Sequence, residues 1–148
     1  MHQYPELSFQ EHNTSKFISK VLQTYKIPHT TGIAKTGIVA LIEGNNPSSR
    51  CVALRADMDA LPILEKNSFD FISKNKGVMH ACGHDFHTSN LLGAAIILQA
   101  IRERFEGTIK LIFQPSEEKI PSGAPAMIDA GVLENPKVEA IFGMHVSP

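Results

Sequence analysis

Residues 80–87 read His-Ala-Cys-Gly-His-Asp-Phe-His, and a segment so rich in metal-binding side chains restricts how the chain can fold. Cys82 and His84 are separated by one glycine, so in an extended segment their side chains lie on the same side of the backbone. A thiolate beside an imidazole suits zinc and, less selectively, other borderline divalent metals. The alternative is a turn whose histidines are merely polar. A metal site would require further ligands from distant parts of the chain.

A helix is predicted after this segment, from His87 to Phe105, and Asp85 and His87 fall where such a helix could begin. The positive end of a helix dipole favours a nearby cysteine as the thiolate, which is the form that binds metals. The sequence therefore favours Cys82 as a thiolate.

The composition indicates one globular core, because 43% of the 148 residues are hydrophobic and 20% are charged. The net charge of −1 gives no field that would gather nucleic acid or an anionic membrane surface, so neither is expected as a partner. Two cysteines do not make a disulfide framework, which favours a reducing, cytoplasmic location. No apolar segment reaches transmembrane length, and the first residues lack the features of a signal peptide.

Alternating helical and strand patterns predict an α/β fold with a mixed, mostly parallel sheet and helices on both faces. The first two strands are separated by turn-forming residues 45–49, which predicts an antiparallel hairpin. The predicted elements are a helix through about Thr24, strands at 36–44 and 50–57, the helix from His87, a strand at 108–114, a helix at 122–130 and a strand at 138–146.

Acidic and histidine side chains lie at the ends of three predicted strands. Asp57 and Asp59 are two residues apart at the end of the second strand, where the alternative is a capped turn. Glu117 and Glu118 follow the next strand, and adjacent acids usually point in different directions, so one can bind an ion while the other moves a proton. His145 ends the last strand. Because the strand ends of α/β sheets carry their chemistry, we expect these groups to converge with residues 80–87.

Five segments then resemble a known family in both order and spacing: Gln-Tyr-Pro-Glu-Leu-Ser-Phe (3–9), Ala-Leu-Arg-Ala-Asp-Met-Asp-Ala-Leu-Pro (53–62), Gly-Val-Met-His-Ala-Cys-Gly-His-Asp (77–85), Leu-Ile-Phe-Gln-Pro-Ser-Glu-Glu (111–118) and Gly-Met-His-Val-Ser-Pro (143–148). Together they resemble the M20 metallopeptidases, in the amidohydrolase branch that includes N-acyl-amino-acid hydrolases, hippurate hydrolases and plant auxin-conjugate hydrolases. The resemblance implies a zinc-peptidase-like catalytic domain.

The same resemblance implies roles for individual residues. Cys82, His84, Glu118 and His145 match the metal ligands of the branch, and Glu117 matches the general base that activates the metal-bridging water. The implied cofactors are two divalent ions per active site, of zinc, manganese, cobalt or nickel.

Other motif residues are implied to support this site. Asp59 occupies the place of a catalytic-site aspartate that orients a metal ligand. Asp57 stands where many relatives have a ligating histidine, so its role is left open. His80 and His87 belong to the motif but are not first-choice ligands, and contacts behind the ligands or helix capping would explain them.

The implied reaction is metal-assisted hydrolysis of the amide bond of a small N-acyl amino acid or related conjugate, with Glu117 as the general base. Cys82 as a catalytic nucleophile is the chemical rival. It is disfavoured because a ligated thiolate is not free to attack, and because the Glu117–Glu118 pair would then have no role.

The resemblance also predicts the domain organisation. In family members, the segment that corresponds to residues 143–148 is followed by a lid and dimerisation domain. Their chains then return to complete the catalytic domain and to supply one more metal-binding histidine. Residues 1–148 would therefore be the N-terminal portion of a catalytic domain whose parent is a homodimer. The alternative function is a truncated, non-catalytic metal-binding fragment or pseudo-enzyme.

Overall fold

The strand at residues 108–114 is buried on both faces, and it lies at the centre of a five-stranded sheet in the described part of the chain. The computed structural model describes residues 1–146. The strands are β1 (His29–Ile33), β2 (Gly37–Glu43), β3 (Cys51–Asp57), β4 (Thr108–Gln114) and β5 (Ala140–Gly143), and they are ordered β1-β2-β4-β3-β5 across the sheet. Every residue of β4 except Ile109 is buried. A strand with both faces covered must have neighbours and packing layers on every side, which explains its central place.

The sheet is mixed, as predicted. β3, β4 and β5 are parallel to one another, whereas β2 is antiparallel to both β1 and β4. Four of the five strands consequently run in one direction, and β2 alone runs in the other. The parallel set brings the carboxyl ends of β3, β4 and β5 to one edge of the sheet.

Helices cover both faces of the sheet, in agreement with the sequence. α1 (His12–Thr24) and α2 (His84–Ala100) pack on one face through residues such as Leu22 and Leu92, against Ile38 and Phe113. α3 (Gly123–Asp129) covers the other face, where Met127 packs against Ile112 and Ala53. A short 3₁₀ helix, Arg102–Arg104, follows α2. Within residues 1–146, no helix combines the length and the apolar character that crossing a membrane would require.

The predicted hairpin between the second and third strands is wrong. β2 and β3 are antiparallel in direction, but β4 lies between them and pairs with both. Turn-forming residues occur both in hairpin loops and in loops that cross to the far side of another strand. The composition of the linker therefore does not specify which strand pairs with β2. β1 was not predicted, since it is a short, mostly exposed edge strand that contains Gly32.

The other element boundaries lie close to the predicted ones. α2 begins three residues earlier than predicted, at His84, and ends at Ala100 rather than at Phe105. The last strand is shorter than predicted and ends at Gly143. The final two residues of the predicted motif at 143–148 lie outside the described residues.

A buried carboxylate fixes the loop that follows β4. The side chain of Glu11 is fully buried and accepts hydrogen bonds from the Thr36 hydroxyl at 2.5 Å and from the backbone N–H of Ser116 at 2.8 Å. Ser116 has a positive φ of 49°, which is uncommon for a residue with a side chain. Glu11 thus stabilises an unusual turn that directs Glu117 and Glu118 toward the strand ends.

We expect Glu11→Ala to lower the free energy of unfolding by about 3 kcal/mol, because two buried donors would lose a charged acceptor. Urea unfolding of the metal-free protein measures this difference. The matched control is Glu43→Ala at an exposed strand end, which should change the free energy by less than about 0.5 kcal/mol. Equal effects of the two substitutions would contradict the role assigned to the Glu11 contacts.

Candidate metal centre

Asp59 lies at the centre of the polar groups gathered at the strand ends. One carboxylate oxygen, Oδ1, accepts from the backbone N–H of Glu117 at 3.0 Å and lies 3.3 Å from Nδ1 of His84. The other, Oδ2, accepts from Ser8 Oγ at 2.6 Å and from the backbone N–H of Glu118 at 3.0 Å. Burial raises the pKa of Asp59, but these hydrogen bonds outweigh burial and lower the pKa to about 2. Asp59 is therefore ionised at neutral pH and holds three parts of the chain together.

The contact with Asp59 orients the imidazole of His84. With Nδ1 facing the carboxylate, Nε2 points the other way, and it is buried without a hydrogen-bond partner among residues 1–146. Three carboxylate oxygens surround Nε2 at 3.6 Å (Glu118), 3.7 Å (Asp57) and 3.8 Å (Glu117). These distances are too long for hydrogen bonds. A buried acceptor facing several anions across such a gap is the arrangement expected where a cation binds.

The spacing of the donor atoms fits metal coordination. Ligand atoms that bind one tetrahedral ion at about 2.0–2.3 Å lie roughly 3.3–3.8 Å from one another. His84 Nε2 and Glu118 Oε1 are 3.6 Å apart, and both are buried without hydrogen-bond partners in the part of the chain that the structure describes. Cys82, His84 and Glu118 each offer a ligand atom within 4.8 Å of the other two. The chemistry and spacing of this donor set fit a divalent ion of the zinc type.

The local charge around Cys82 is negative. Burial, a hydrogen bond to Glu118, and the charges of Glu118, Glu117 and Asp57 raise the pKa of the Cys82 thiol to about 11. The expectation that the helix dipole favours the thiolate is therefore wrong for the metal-free protein, because nearby carboxylates outweigh the start of α2. A bound cation would reverse this balance and release the thiol proton. A neutral thiol also disfavours Cys82 as a free nucleophile.

His145 reaches the same place from the end of β5. Its Nε2 lies 3.5 Å from Sγ of Cys82, and its ring lies 4.9 Å from the ring of His87. The structure thus brings together all six residues for which the sequence suggested a role in catalysis or metal binding: Asp59, Cys82, His84, Glu117, Glu118 and His145. Their individual roles remain predictions.

The two adjacent glutamates differ in exposure. The Glu118 side chain is 21% exposed, whereas that of Glu117 is 42% exposed. Glu118 turns inward to His84 and Cys82, and Glu117 stays at the open side of the cluster with access to water. Which of the two acids binds an ion and which moves a proton stays a prediction.

A second cluster is formed by Asp57, His84 and His87, whose donor atoms also lie within 4.8 Å of one another. In this cluster, Asp57 and His87 already have hydrogen-bond partners in the protein. Asp57 accepts from His87 Nδ1 at 2.7 Å and from Arg55 Nη1 at 2.6 Å, and His87 Nε2 accepts from the backbone N–H of Val146 at 3.0 Å. An ion would have to displace these bonds, so this cluster is the poorer candidate for a metal.

Three residues near the site were missed by the sequence analysis. Ser8 binds Asp59 across 51 positions of sequence, and no local signal indicates such a distant pairing. Arg55 and Asp57 are two residues apart on one strand, so the two-residue period of side chains placed them on the same face. His2 binds Asp85 at 2.7 Å and Glu65 at 3.1 Å. Burial lowers the pKa of His2, but these bonds raise it above the ordinary value.

His80 is a buried residue of the segment 80–87. It is 5% exposed, and neither of its ring nitrogens has a hydrogen-bond partner among the described residues. Burial holds its pKa well below the ordinary value of 6.5, and its ring lies 6.4 Å from that of His2. His80 is therefore neutral at neutral pH, and it is a buried residue of the same segment that carries Cys82.

Comparisons with known proteins identify the family of the chain. The sequence model of the peptidase family M20/M25/M40 matches residues 53–148. An N-acyl-L-amino acid amidohydrolase of Geobacillus stearothermophilus is 47% identical over 146 residues, which are 99% of this chain and 39% of that protein. Thermostable carboxypeptidase 1 of Saccharolobus solfataricus is 47% identical over 149 residues, covering 99% of this chain and 37% of that protein.

A solved structure shows the same fold. The crystal structure of a dinuclear metal-binding peptidase of the M20 family from Bacillus subtilis superposes with a TM-score of 0.92 at 47% identity, and the match covers 99% of this chain and 40% of that one. The chain thus spans about two fifths of the length of the relatives it matches.

Proposed function

Because the chain belongs to the peptidase family M20/M25/M40, we propose that it supplies the metal-binding part of an amidohydrolase that cleaves the amide bond of N-acyl amino acids. The relatives named for N-acyl-L-amino acid and N-acetylcysteine substrates, each 47% identical, support this substrate class. The family and the fold are shared with these relatives, and the substrate class is inferred from them.

The observation that carries the proposal is a pair of buried atoms, Nε2 of His84 and Oε1 of Glu118, which lie 3.6 Å apart and have no hydrogen-bond partner among the described residues. Leaving two such atoms unsatisfied costs folding free energy unless something binds them. We assign Cys82, His84, Glu118 and His145 as ligands of divalent ions, with two ions per site. Zinc suits the cysteine, histidine and glutamate set, and manganese, cobalt or nickel would also bind mixed ligands of this kind.

Glu117 is the proposed general base. When bound, the divalent ions polarise the scissile carbonyl and lower the pKa of a coordinated water. The Glu117 carboxylate, at the exposed side of the cluster, would take a proton from the attacking water and pass it to the amine that leaves when the C–N bond breaks. Asp59 keeps His84 in the orientation in which Nδ1 faces the carboxylate and Nε2 faces the site.

The domain organisation is proposed on the same basis. Residues 1–148 would form the N-terminal portion of the catalytic domain, with a lid and dimerisation domain and the remaining strands supplied by further chain. Strand β5 supports this proposal, because all four of its residues are exposed and Phe142 is 61% exposed at the edge of the sheet. A homodimer formed through the lid stays a prediction.

The test uses the protein expressed from the complete gene, with metal content measured beside hydrolysis of N-acetyl and N-benzoyl amino acids. We expect Cys82→Ala to lose bound metal and at least about a hundredfold in kcat/KM, because it removes a ligand. The chain offers a matched control in Cys51→Ala, which changes a buried cysteine far from the cluster and should retain both metal and activity.

Two results would overturn the proposal. A folded protein that contains no metal at neutral pH would remove its basis. Hydrolysis that survives complete removal of metal by a chelator would assign the reaction to other groups. A metal-bound protein without activity on any N-acyl amino acid would favour the non-catalytic alternative.

A further inference from the structure

Asp57 and His87 form a hydrogen-bonded pair that the proposed reaction does not use. Both residues are almost fully buried, at 1% and 2% exposed, and Nδ1 of His87 lies 2.7 Å from Oδ1 of Asp57. The second oxygen of Asp57 accepts from Arg55 Nη1 at 2.6 Å, and the Asp57 backbone carbonyl accepts from the Thr88 hydroxyl at 2.8 Å. The pair is therefore held from both β3 and α2.

The hydrogen bonds fix the tautomer of His87. Its Nε2 accepts from the backbone N–H of Val146 at 3.0 Å, so Nε2 carries no proton. In a neutral imidazole the other nitrogen then carries the proton, and Nδ1–H donates to Asp57. Both nitrogens are thus satisfied, and the imidazole links the end of β3 to the segment that follows β5.

That segment carries His145. Among the described residues, β5 is an edge strand whose sheet partner is β3, and all four of its residues are exposed. Beyond it, Val146 contacts the start of α2 at two points: the hydrogen bond to His87 and a close approach to Gly83. A Cβ on Gly83 would collide with the Val146 side chain. The place of residues 144–146 therefore depends on contacts to α2 more than on the sheet.

We propose that His87 is a positioning residue, which holds the backbone of Val146 through the Nδ1–H tautomer set by Asp57 and so places the imidazole of His145 beside Cys82. The inference rests on the proposed function for its consequence, since His145 is assigned there as a ligand. It assigns Asp57 as the anchor of His87 rather than as a metal ligand. The His145 ring, 4.9 Å from the His87 ring and 3.5 Å from Cys82 Sγ, is the group that is placed.

Two substitutions of His87 test its two hydrogen bonds separately, the one from Nδ1 to Asp57 and the one that Nε2 accepts from Val146. In His87→Asn, an amide near the Nδ1 position can still donate to Asp57, but it is too short to reach Val146. In His87→Gln, the longer side chain can present an oxygen near the Nε2 position and accept from the Val146 N–H. The exposed His12→Asn, at the start of α1, is the control for loss of a histidine elsewhere.

The first readout is hydrogen exchange of the Val146 amide in the metal-free, full-length protein, followed by NMR with nitrogen-labelled valine. We expect slow exchange in the unsubstituted protein and in His87→Gln, and at least tenfold faster exchange in His87→Asn. Equally fast exchange in all three would show that the anchor does not form, and would overturn the inference whether or not the protein binds metal.

The second readout is metal affinity, measured by titration with cobalt(II) and by the absorption of the thiolate–cobalt bond to Cys82. We expect His87→Asn to weaken affinity about 10- to 100-fold, and His87→Gln to restore most of it. In a His145→Ala background, His87→Asn should weaken affinity by less than about threefold further, because the residue it positions is already missing.

The outcomes distinguish this inference from the proposed function. Metal affinity could fall equally in His87→Asn and His87→Gln, and His87→Asn could lower it further in the His145→Ala background. This result would show that His87 is itself a ligand and would overturn the positioning role. Unchanged affinity in His87→Asn, despite fast exchange at Val146, would also overturn it. Absence of metal from the unsubstituted protein would instead remove the proposed function, while exchange at Val146 would still decide whether the anchor exists.

Discussion

Replacing Glu117 by glutamine is expected to lower kcat for N-acyl amino acid hydrolysis by about 10²- to 10⁴-fold while leaving metal content unchanged. Glutamine keeps the size of the side chain but cannot take up a proton from water. The Glu117 side chain is 42% exposed and makes no hydrogen bond of its own in the described structure, so its loss should not disturb the ligands. Steady-state kinetics and metal analysis of the full-length protein check both expectations.

Substitution of the neighbouring Glu118 is expected to affect metal content as well as activity. Glu118→Gln removes a proposed ligand, so it should lose metal together with activity, whereas Glu106→Gln, on an exposed side chain, should change neither. If Glu117→Gln lost its metal, or if Glu118→Gln kept full metal content, the roles assigned to the two acids would have to be exchanged.

Replacing Asp59 by asparagine is expected to lower the free energy of unfolding by about 4 kcal/mol at neutral pH. The carboxylate faces four donors: the Ser8 hydroxyl, the backbone N–H groups of Glu117 and Glu118, and Nδ1 of His84. An amide has only one acceptor oxygen, so its NH₂ group would face donors that need an acceptor. Denaturant unfolding of the metal-free protein measures the loss, and the exposed Asp129→Asn is the control.

The effect of Asp59 should depend on pH with a defined sign. Its pKa is about 2 in the folded protein and 3.8 in its ordinary state, so the unfolded chain takes up the proton first. The stabilisation is therefore fully present above about pH 3.8 and is lost as the pH falls toward 2. The difference between the Asp59→Asn variant and the unsubstituted protein should shrink over that interval. A difference that stays constant down to pH 2 would contradict the assignment to the charged carboxylate.

The convergence of the site could be predicted from the sequence because it follows from strand direction. Asp57 ends β3 opposite Gln114 of β4, and Gly143 of β5 pairs with Arg55. Once these strands are parallel, the residues that follow them must meet at one edge. The local motif at residues 80–87 supplies the remaining groups from the start of α2. Local patterns and one topological rule were sufficient for this part.

The interactions of individual site residues could not be predicted in the same way. Whether Asp57 binds an ion or anchors His87 depends on a rotamer and on the position of Arg55, which no spacing in the sequence specifies. The raised pKa of Cys82 depends on its burial and on three carboxylates that approach from other parts of the chain. The hairpin error has a similar origin, since the neighbour of β2 is β4, which lies about seventy residues further along the chain.

The central place of β4 has a consequence for how the chain is made. Both sheet neighbours of β3, namely β4 and β5, come later in the sequence, so β3 has no partner strand while the chain is synthesised as far as residue 107. Contacts between residues so far apart in sequence form slowly, and apolar strands without partners are prone to aggregate before they form. During synthesis, the strand that carries Asp57 therefore lacks its native partner until β4 emerges from the ribosome, and we expect the nascent chain to be most prone to aggregation during this interval.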